Sequence, residues 1–159
     1  MFALMTALLI GGSSVEELVR PALPGFVVGY QQSVPSAAIV EEIPEGETVE
    51  KWTRMVTTQR FTGLTRTIDP KGFLTMLAQG ASGGCPGATA SSVQQMGPAA
   101  QVRFDCPLNP ATGLPETFIA RAIPGASDLH VAQIAWRKLP GAKDLAWAEA
   151  YLSGVQIKP

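Results

Sequence analysis

The chain has 159 residues, a formal net charge of −1, and a composition that is 46% hydrophobic and 16% charged. Ordinary apolar content with a low net charge excludes a disordered chain, and 16 glycines with 13 prolines exclude a long coiled coil. The charge balance also excludes a broad basic surface, so we predict no nucleic-acid partner. The length suits a single globular domain, which we place at residues 15–159.

The chain opens with an apolar run from Met1 to Ile10, followed by small residues from Gly11 to Ser14. The run is far shorter than the ~20 residues that cross a bilayer, so we do not expect an integral membrane protein. It matches the hydrophobic region of a secretory signal peptide, although no Lys or Arg precedes it. Residues 1–14 are therefore a possible signal peptide, and the alternative is a buried N-terminal apolar segment.

The first half of the chain favours strands. Ser13 or Ser14, with Glu16 or Glu17 three residues later, predicts a capping box and a short helix that ends before Pro21. Three segments rich in β-branched and aromatic residues then predict strands: Gly25 to Gln32, Ala37 to Ile43, and Trp52 to Phe61. Between the second and third strands, Pro44 to Glu47 predicts a turn.

The second half predicts two helices around further strands. Asp69 and Pro70 predict a helix start, and the helix ends within the glycine-rich stretch Gly80 to Gly84. A second helix is predicted from Lys143 to Ser153, where apolar residues recur at helical spacing. Four strands are predicted between the helices: Ala88 to Gln95, Ala100 to Cys106, Glu116 to Ile123, and Leu129 to Lys138.

Most connections between these strands are too short for crossover helices, and short connections join antiparallel neighbours. The fold class that follows is α+β, with an antiparallel-dominated sheet of about six or seven strands packed against two amphipathic helices. The helices that begin near Pro70 and Lys143 would cover one or both faces of the sheet.

Two cysteines, Cys85 and Cys106, are each followed by proline. An isolated pair in an exported chain most often forms one disulfide, whereas in the cytoplasm two reduced and buried thiols are expected. The strand pairing between the two positions returns the chain toward its start. We predict a disulfide between Cys85 and Cys106.

One stretch carries a family resemblance. The run from Ile39 to Thr58 reads IVEEIPEGETVEKWTRMVTT and resembles a segment found in small exported bacterial proteins of unknown function. In those proteins a similar run leads into a helix and then a cysteine-containing stretch, which here would include Cys85 and Cys106. The element order is also similar to PsbP-like α/β sandwiches, a likeness at the level of fold that transfers no site residue.

Two features could carry chemistry. His130 is the one histidine of the chain and could act as a general base, although no GxSxG elbow presents a serine to it. Five glutamates lie between Glu41 and Glu50 and could bind a cation, but the spacing of a calcium loop is missing, which favours a solvated hairpin end. The sequence therefore assigns no catalytic, cofactor-binding or metal-binding residue, and we expect no cofactor.

The function that these observations favour is a non-catalytic exported binding or accessory protein of the bacterial cell envelope. Its location would be periplasmic or otherwise exported, and its partner would be a protein or a small molecule of unknown identity. The alternative is a small hydrolase or lyase that uses His130 or a carboxylate from the Glu41 to Glu50 run. A deep cleft with an acid within hydrogen-bonding distance of His130 would favour the enzyme, and a broad apolar or charged patch with no cleft would favour a protein that binds a partner protein. A purely structural envelope protein, the third option, would show neither.

Overall fold

The computed structural model describes residues 16–158 of the chain. It contains two α-helices, α1 (Pro70–Gly83) and α2 (Ala142–Ser153), and a short 3₁₀ turn at Leu64–Arg66. The strands, in chain order, are β1 (Glu17–Val19), β2 (Phe26–Val34), β3 (Ala37–Pro44), β4 (Arg54–Phe61), β5 (Thr89–Ala90), β6 (Gln94–Met96), β7 (Ala99–Asn109), β8 (Leu114–Pro124), β9 (Leu129–Trp136) and β10 (Gln156–Lys158).

The main sheet has eight strands in the order β2-β3-β4-β9-β8-β7-β5, with β6 paired to β7 beside β5. Every strand pair in it is antiparallel. A second, two-stranded sheet joins β1 to β10. The predicted α+β class, with an antiparallel sheet and two helices, is confirmed.

The helices lie on opposite faces of the main sheet, because its central strands are apolar on both sides. On β9, Leu129 and Val131 pack in the core under α1, while Ile134 and Trp136 pack in the core under α2. A strand buried on both faces does not need the alternation of apolar and polar residues that a half-exposed strand shows.

Local chemistry explains where each helix sits. The side chain of Asp69 accepts a hydrogen bond of 2.7 Å from the Gly72 amide, which caps α1 just before Pro70. In α2, the carboxylate of Asp144 accepts hydrogen bonds from Arg54 of β4 and from the Gly141 amide. The helix is therefore tied to the sheet as well as packed on it.

Two predicted elements are wrong. The helix expected to begin at Ser13 or Ser14 is a strand where the structure describes it, because Glu17–Val19 pairs with Gln156–Lys158 at the far end of the chain. The single strand expected from Ala88 to Gln95 is split into β5 and β6, which pair with separate parts of β7. Strand β10 was not anticipated.

A disulfide joins Cys85 to Cys106, with a Cα–Cα distance of 5.9 Å. It ties the segment that follows α1 to strand β7, and both cysteines are buried in the core beneath α1. The predicted signal peptide at residues 1–14 lies outside the described residues. Among residues 16–158, neither helix has the length and apolar character needed to cross a bilayer.

Candidate functional site

A pocket of about 330 Å³ lies on the α2 face of the sheet, where β3, β4 and β9 meet the N-terminal strand β1. Alternation along the strands puts the side chains of Ala38, Val40 and Thr58 on this face, and they supply much of the lining. The polar groups of the lining come from different segments: Glu16 and Glu17 at β1, Arg60 on β4 and His130 on β9.

His130 is the most buried polar residue of the pocket, with 2% of its surface exposed. It lies directly across from Arg60 in the β4–β9 register. Burial lowers the pKa of His130, and the carboxylates of Glu16 and Asp128 oppose that shift only in part. The imidazole is therefore neutral near pH 7, with one N–H and one lone pair to offer.

The Nε2 atom of His130 has no hydrogen-bond partner among the described residues. The nearest carboxylate oxygen, Glu16 Oε2, is 3.8 Å away, which is longer than a hydrogen bond. The other oxygen of Glu16 accepts a hydrogen bond from the Ala126 amide in the β8–β9 turn. Glu16 is thus held beside the imidazole, where its carboxylate raises the pKa of His130 against the effect of burial.

Two of the other charged side chains around the pocket, Arg60 and Asp128, pair with each other. Arg60 lies 3.7 Å from Asp128. Asp128 accepts a hydrogen bond of 2.9 Å from the Gly63 amide, and this bond is the main reason that the pKa of Asp128 is lowered. These contacts hold the β8–β9 turn against the end of β4.

The geometry does not assemble a nucleophile with His130. The hydroxyl of Ser127, the serine nearest in sequence, donates to Asp128 at 3.1 Å instead. In the part of the chain that the structure describes, no serine or threonine hydroxyl is hydrogen-bonded to the imidazole. The arrangement offers one buried imidazole nitrogen next to a pocket whose apolar lining comes from Leu18, Ala38 and Val40.

The glutamates from Glu41 to Glu50 do not form a site together. Glu42 pairs with Arg20 at 2.6 Å on the α2 face, whereas Glu41 lies on the other face of β3. Glu47 accepts hydrogen bonds from the amide and hydroxyl of Thr53, and so closes the loop that leads into β4. Within residues 16–158, no three residues of the types that ligate metals come together as a metal site.

Sequence reasoning singled out His130 but missed Glu16 and Arg60 as its neighbours. Arg60 meets His130 through the register of two strands that are about 70 residues apart in the sequence. Glu16 reaches the pocket because β1 pairs with β10 rather than forming the expected helix. No local pattern carries either signal.

The fold and the pocket define an α+β protein with a histidine-containing pocket on an antiparallel sheet. No family model matches the chain, and no curated protein matches it. Among solved structures it is similar to LpqN of Mycobacterium tuberculosis, described as involved in cell envelope biogenesis. That similarity has a TM-score of 0.45 and 17% identity, and it covers 94% of this chain and 88% of LpqN. The resemblance to PsbP-like proteins stays a prediction.

Proposed function

We propose that this chain is a non-catalytic, exported binding protein of the bacterial cell envelope. Its binding site is the pocket formed by β1, β3, β4 and β9, and its ligand is a small molecule with an apolar body and one uncharged hydroxyl head. The body would lie on Ala38 and Val40, and the hydroxyl would bond to His130.

The unpartnered Nε2 of His130 carries the proposal. A buried polar atom without a partner costs about 1–3 kcal/mol, so such atoms are rare in folded proteins and often mark a functional site. This atom is buried next to a pocket of about 330 Å³, a size typical of small-ligand sites. A ligand would therefore reach it by displacing the Glu16 side chain beside it. A hydroxyl group can donate or accept, and so it satisfies Nε2 in either tautomer.

An uncharged head fits the electrostatics of the pocket. Arg60 is paired with Asp128, and Glu16 already accepts a hydrogen bond from Ala126. An anionic head would therefore lose its hydration without gaining a free cation, and a cationic head could pair only with the exposed Glu17, where water screens the charge. The neutral imidazole of His130 adds no charge to alter this balance.

The disulfide supports the compartment. Disulfides persist in the periplasm and outside the cell and are rare in the cytoplasm, where thiols are kept reduced. Cys85 and Cys106 are the only cysteines of the chain and are bonded to each other.

Three six-carbon probes test the proposal: hexanol, hexanoate and hexylamine, which share one chain and differ in the head group. Each is titrated into the isotope-labelled protein while backbone amide shifts are followed by NMR. We expect hexanol to bind most tightly and to shift the amides of Ala38, Val40, Thr58 and His130.

Two substitutions at one position provide the control. His130→Phe keeps an aromatic ring but has no hydrogen-bonding atom, and it should abolish saturable hexanol binding. His130→Gln keeps a donor and an acceptor, and it should retain binding. The proposal is wrong if hexanol shifts no amide that lines the pocket, or if His130→Phe binds hexanol as tightly as the unaltered protein.

A further inference from the structure

We propose that two copies of this chain associate through strand β2, antiparallel to each other about a twofold axis. The pairing would extend each eight-stranded sheet into one continuous sheet across the dimer. This surface is separate from the His130 pocket, and the proposal does not depend on the ligand proposed above.

Strand β2 forms one edge of the main sheet, and among the described residues only β3 pairs with it. In an antiparallel pair, alternate residues of an edge strand turn their N–H and C=O groups away from the neighbour. Nine residues, Phe26–Val34, form this edge. It is therefore a long template for another strand.

The opposite edge of the sheet is protected. There β7 is covered by the two-residue β5 and the three-residue β6. Between these short strands, the Ser91 amide donates a hydrogen bond to the Arg103 carbonyl, and the Ser91 hydroxyl accepts one from the Arg103 amide. Very short edge strands are a common protection against strand addition. The nine-residue β2 does not have it, and its one interruption, at Gly29, leaves five regular residues beyond it.

The chemistry of β2 favours an identical strand as its partner. The strand contains no Asp, Glu, Lys or Arg, so an identical strand would meet no like charge across the pairing. For the same reason, an acidic or basic partner would find no opposite charge on this strand. Of the nine large apolar side chains exposed among the described residues, four lie on this strand: Val27, Val28, Tyr30 and Val34.

A bulge at Gly29 sets the register. It interrupts the pairing with β3 between Val28 and Tyr30, which leaves Tyr30–Val34 as the regular part of the strand. If two such segments pair with Gln32 on the twofold axis, Tyr30 lies opposite Val34 of the partner subunit. The twofold symmetry then forms the same contact twice.

These two side chains are exposed and lie on the same face of the strand. Tyr30 is 43% exposed and Val34 is 44% exposed, and their spacing of four residues puts both on the α1 face. Aromatic and β-branched residues are a favourable cross-strand pair. A hollow of about 180 Å³ beside Val34, floored by Ile39 and Phe61, gives the incoming tyrosine ring an apolar surface to cover.

Sedimentation equilibrium of the oxidised protein over a range of concentrations tests the proposal. We expect a reversible monomer–dimer equilibrium for the unaltered chain. Gln32→Lys and Gln32→Glu each set like charges opposite one another at the twofold axis, and each should weaken the dimer roughly a hundredfold. An equimolar mixture of the two variants should recover dimerisation, because the charges are then opposite.

Gln79→Lys is the matched control, since it makes the same change at an exposed position on α1 and should leave the dimer intact. Circular dichroism of each variant verifies that the fold is retained. A chain that stays monomeric at every concentration overturns the proposal. So does a dimer that Gln32→Lys and Gln32→Glu leave unchanged, because its interface would then lie elsewhere.

Discussion

At the scale of single residues, His130 makes stability depend on pH. Burial lowers its pKa in the folded state from the ordinary value of 6.5. Below that value the unfolded chain binds a proton that the folded chain does not, so acid favours unfolding. We expect the free energy of unfolding, measured by urea denaturation, to fall as the pH is lowered from about 7.5 to about 5.5.

His130→Gln is the control, because glutamine fills the position without titrating. The difference between the two stability curves should depend on pH in this window and level off once the folded protein is also protonated. Asp128 and Asp144 have pKa values lowered below 3.8, so the stability that they contribute is lost only in stronger acid. Parallel curves for the two proteins would contradict the prediction.

Arg121 is a second residue with a defined structural role. It is 7% exposed, and its guanidinium donates to Gln101 Oε1 at 3.0 Å and to the Leu152 carbonyl at 2.7 Å. Gln101 in turn donates to Glu149 of α2 at 2.7 Å. This chain of hydrogen bonds connects β7 and β8 to the C-terminal half of α2.

Arg121→Met should lower the free energy of unfolding by about 1–3 kcal/mol, because it removes the tie to α2 and leaves Gln101 Oε1 buried without its donor. Thermal and urea denaturation measure the change. Arg103→Met is the matched substitution on β7, where the arginine pairs with Asp105 and is about one-third exposed. Arg103→Met should lower the free energy of unfolding by less than about 1 kcal/mol. Equal losses for the two variants would contradict the structural role given to Arg121.

At the scale of elements, the disulfide joins the end of α1 to β7 across a sequence separation of 21 residues. Closing a loop of this size stabilises the fold by roughly 3 kcal/mol in the chain-entropy model. The double variant Cys85→Ser, Cys106→Ser should therefore have a free energy of unfolding lower by about 3 kcal/mol, measured by urea denaturation. Reductant should shift the unaltered protein in the same direction and leave the variant unmoved.

The oxidation state in the cell is a separate measurement. Protein recovered from its native host and treated with an alkylating reagent before reduction should show no alkylated thiol by mass spectrometry. Two alkylated thiols would contradict both the disulfide and the exported location that it supports.

Elements whose signals are local could be predicted from the sequence. Asp69 and Pro70 carry the start of α1 in their own chemistry, and the structure confirms it. Strand β9 was predicted from its composition and pattern, to within two residues of its end. Strand β1 could not be predicted, because its three residues form a strand only by pairing with β10, which lies at the other end of the chain.

At the scale of the whole molecule, the candidate site was even harder to predict from the sequence than strand β1. His130 stands out in the sequence because it is the one histidine, but its significance depends on Glu16, Arg60 and the floor of β3, which come from three other segments. Strand order and register bring them together, and neither can be read from one sequence. The free edge at β2 likewise becomes visible only when every strand has been given its neighbours.

Strand order also predicts how stability is distributed over the molecule. Strands β4, β9 and β8 each have neighbours on both sides and lie at the centre of the main sheet, so their amides should exchange most slowly with deuterium. The β1–β10 pair forms a sheet of its own with three residues in each strand, and it should open far more readily. Native-state hydrogen exchange followed by NMR measures both rates in one experiment.

The same experiment at two protein concentrations separates the edge strand from the rest of the sheet. In dilute protein, the amides of β2 that point away from β3 should exchange quickly, since no strand among residues 16–158 pairs with that side. In concentrated protein those amides alone should slow, because a second copy pairs with them, and Gln32→Lys should abolish the difference. Outward amides of β2 that are already protected in dilute protein would mean that the monomer itself covers this edge, and the strand would then be closed to any partner.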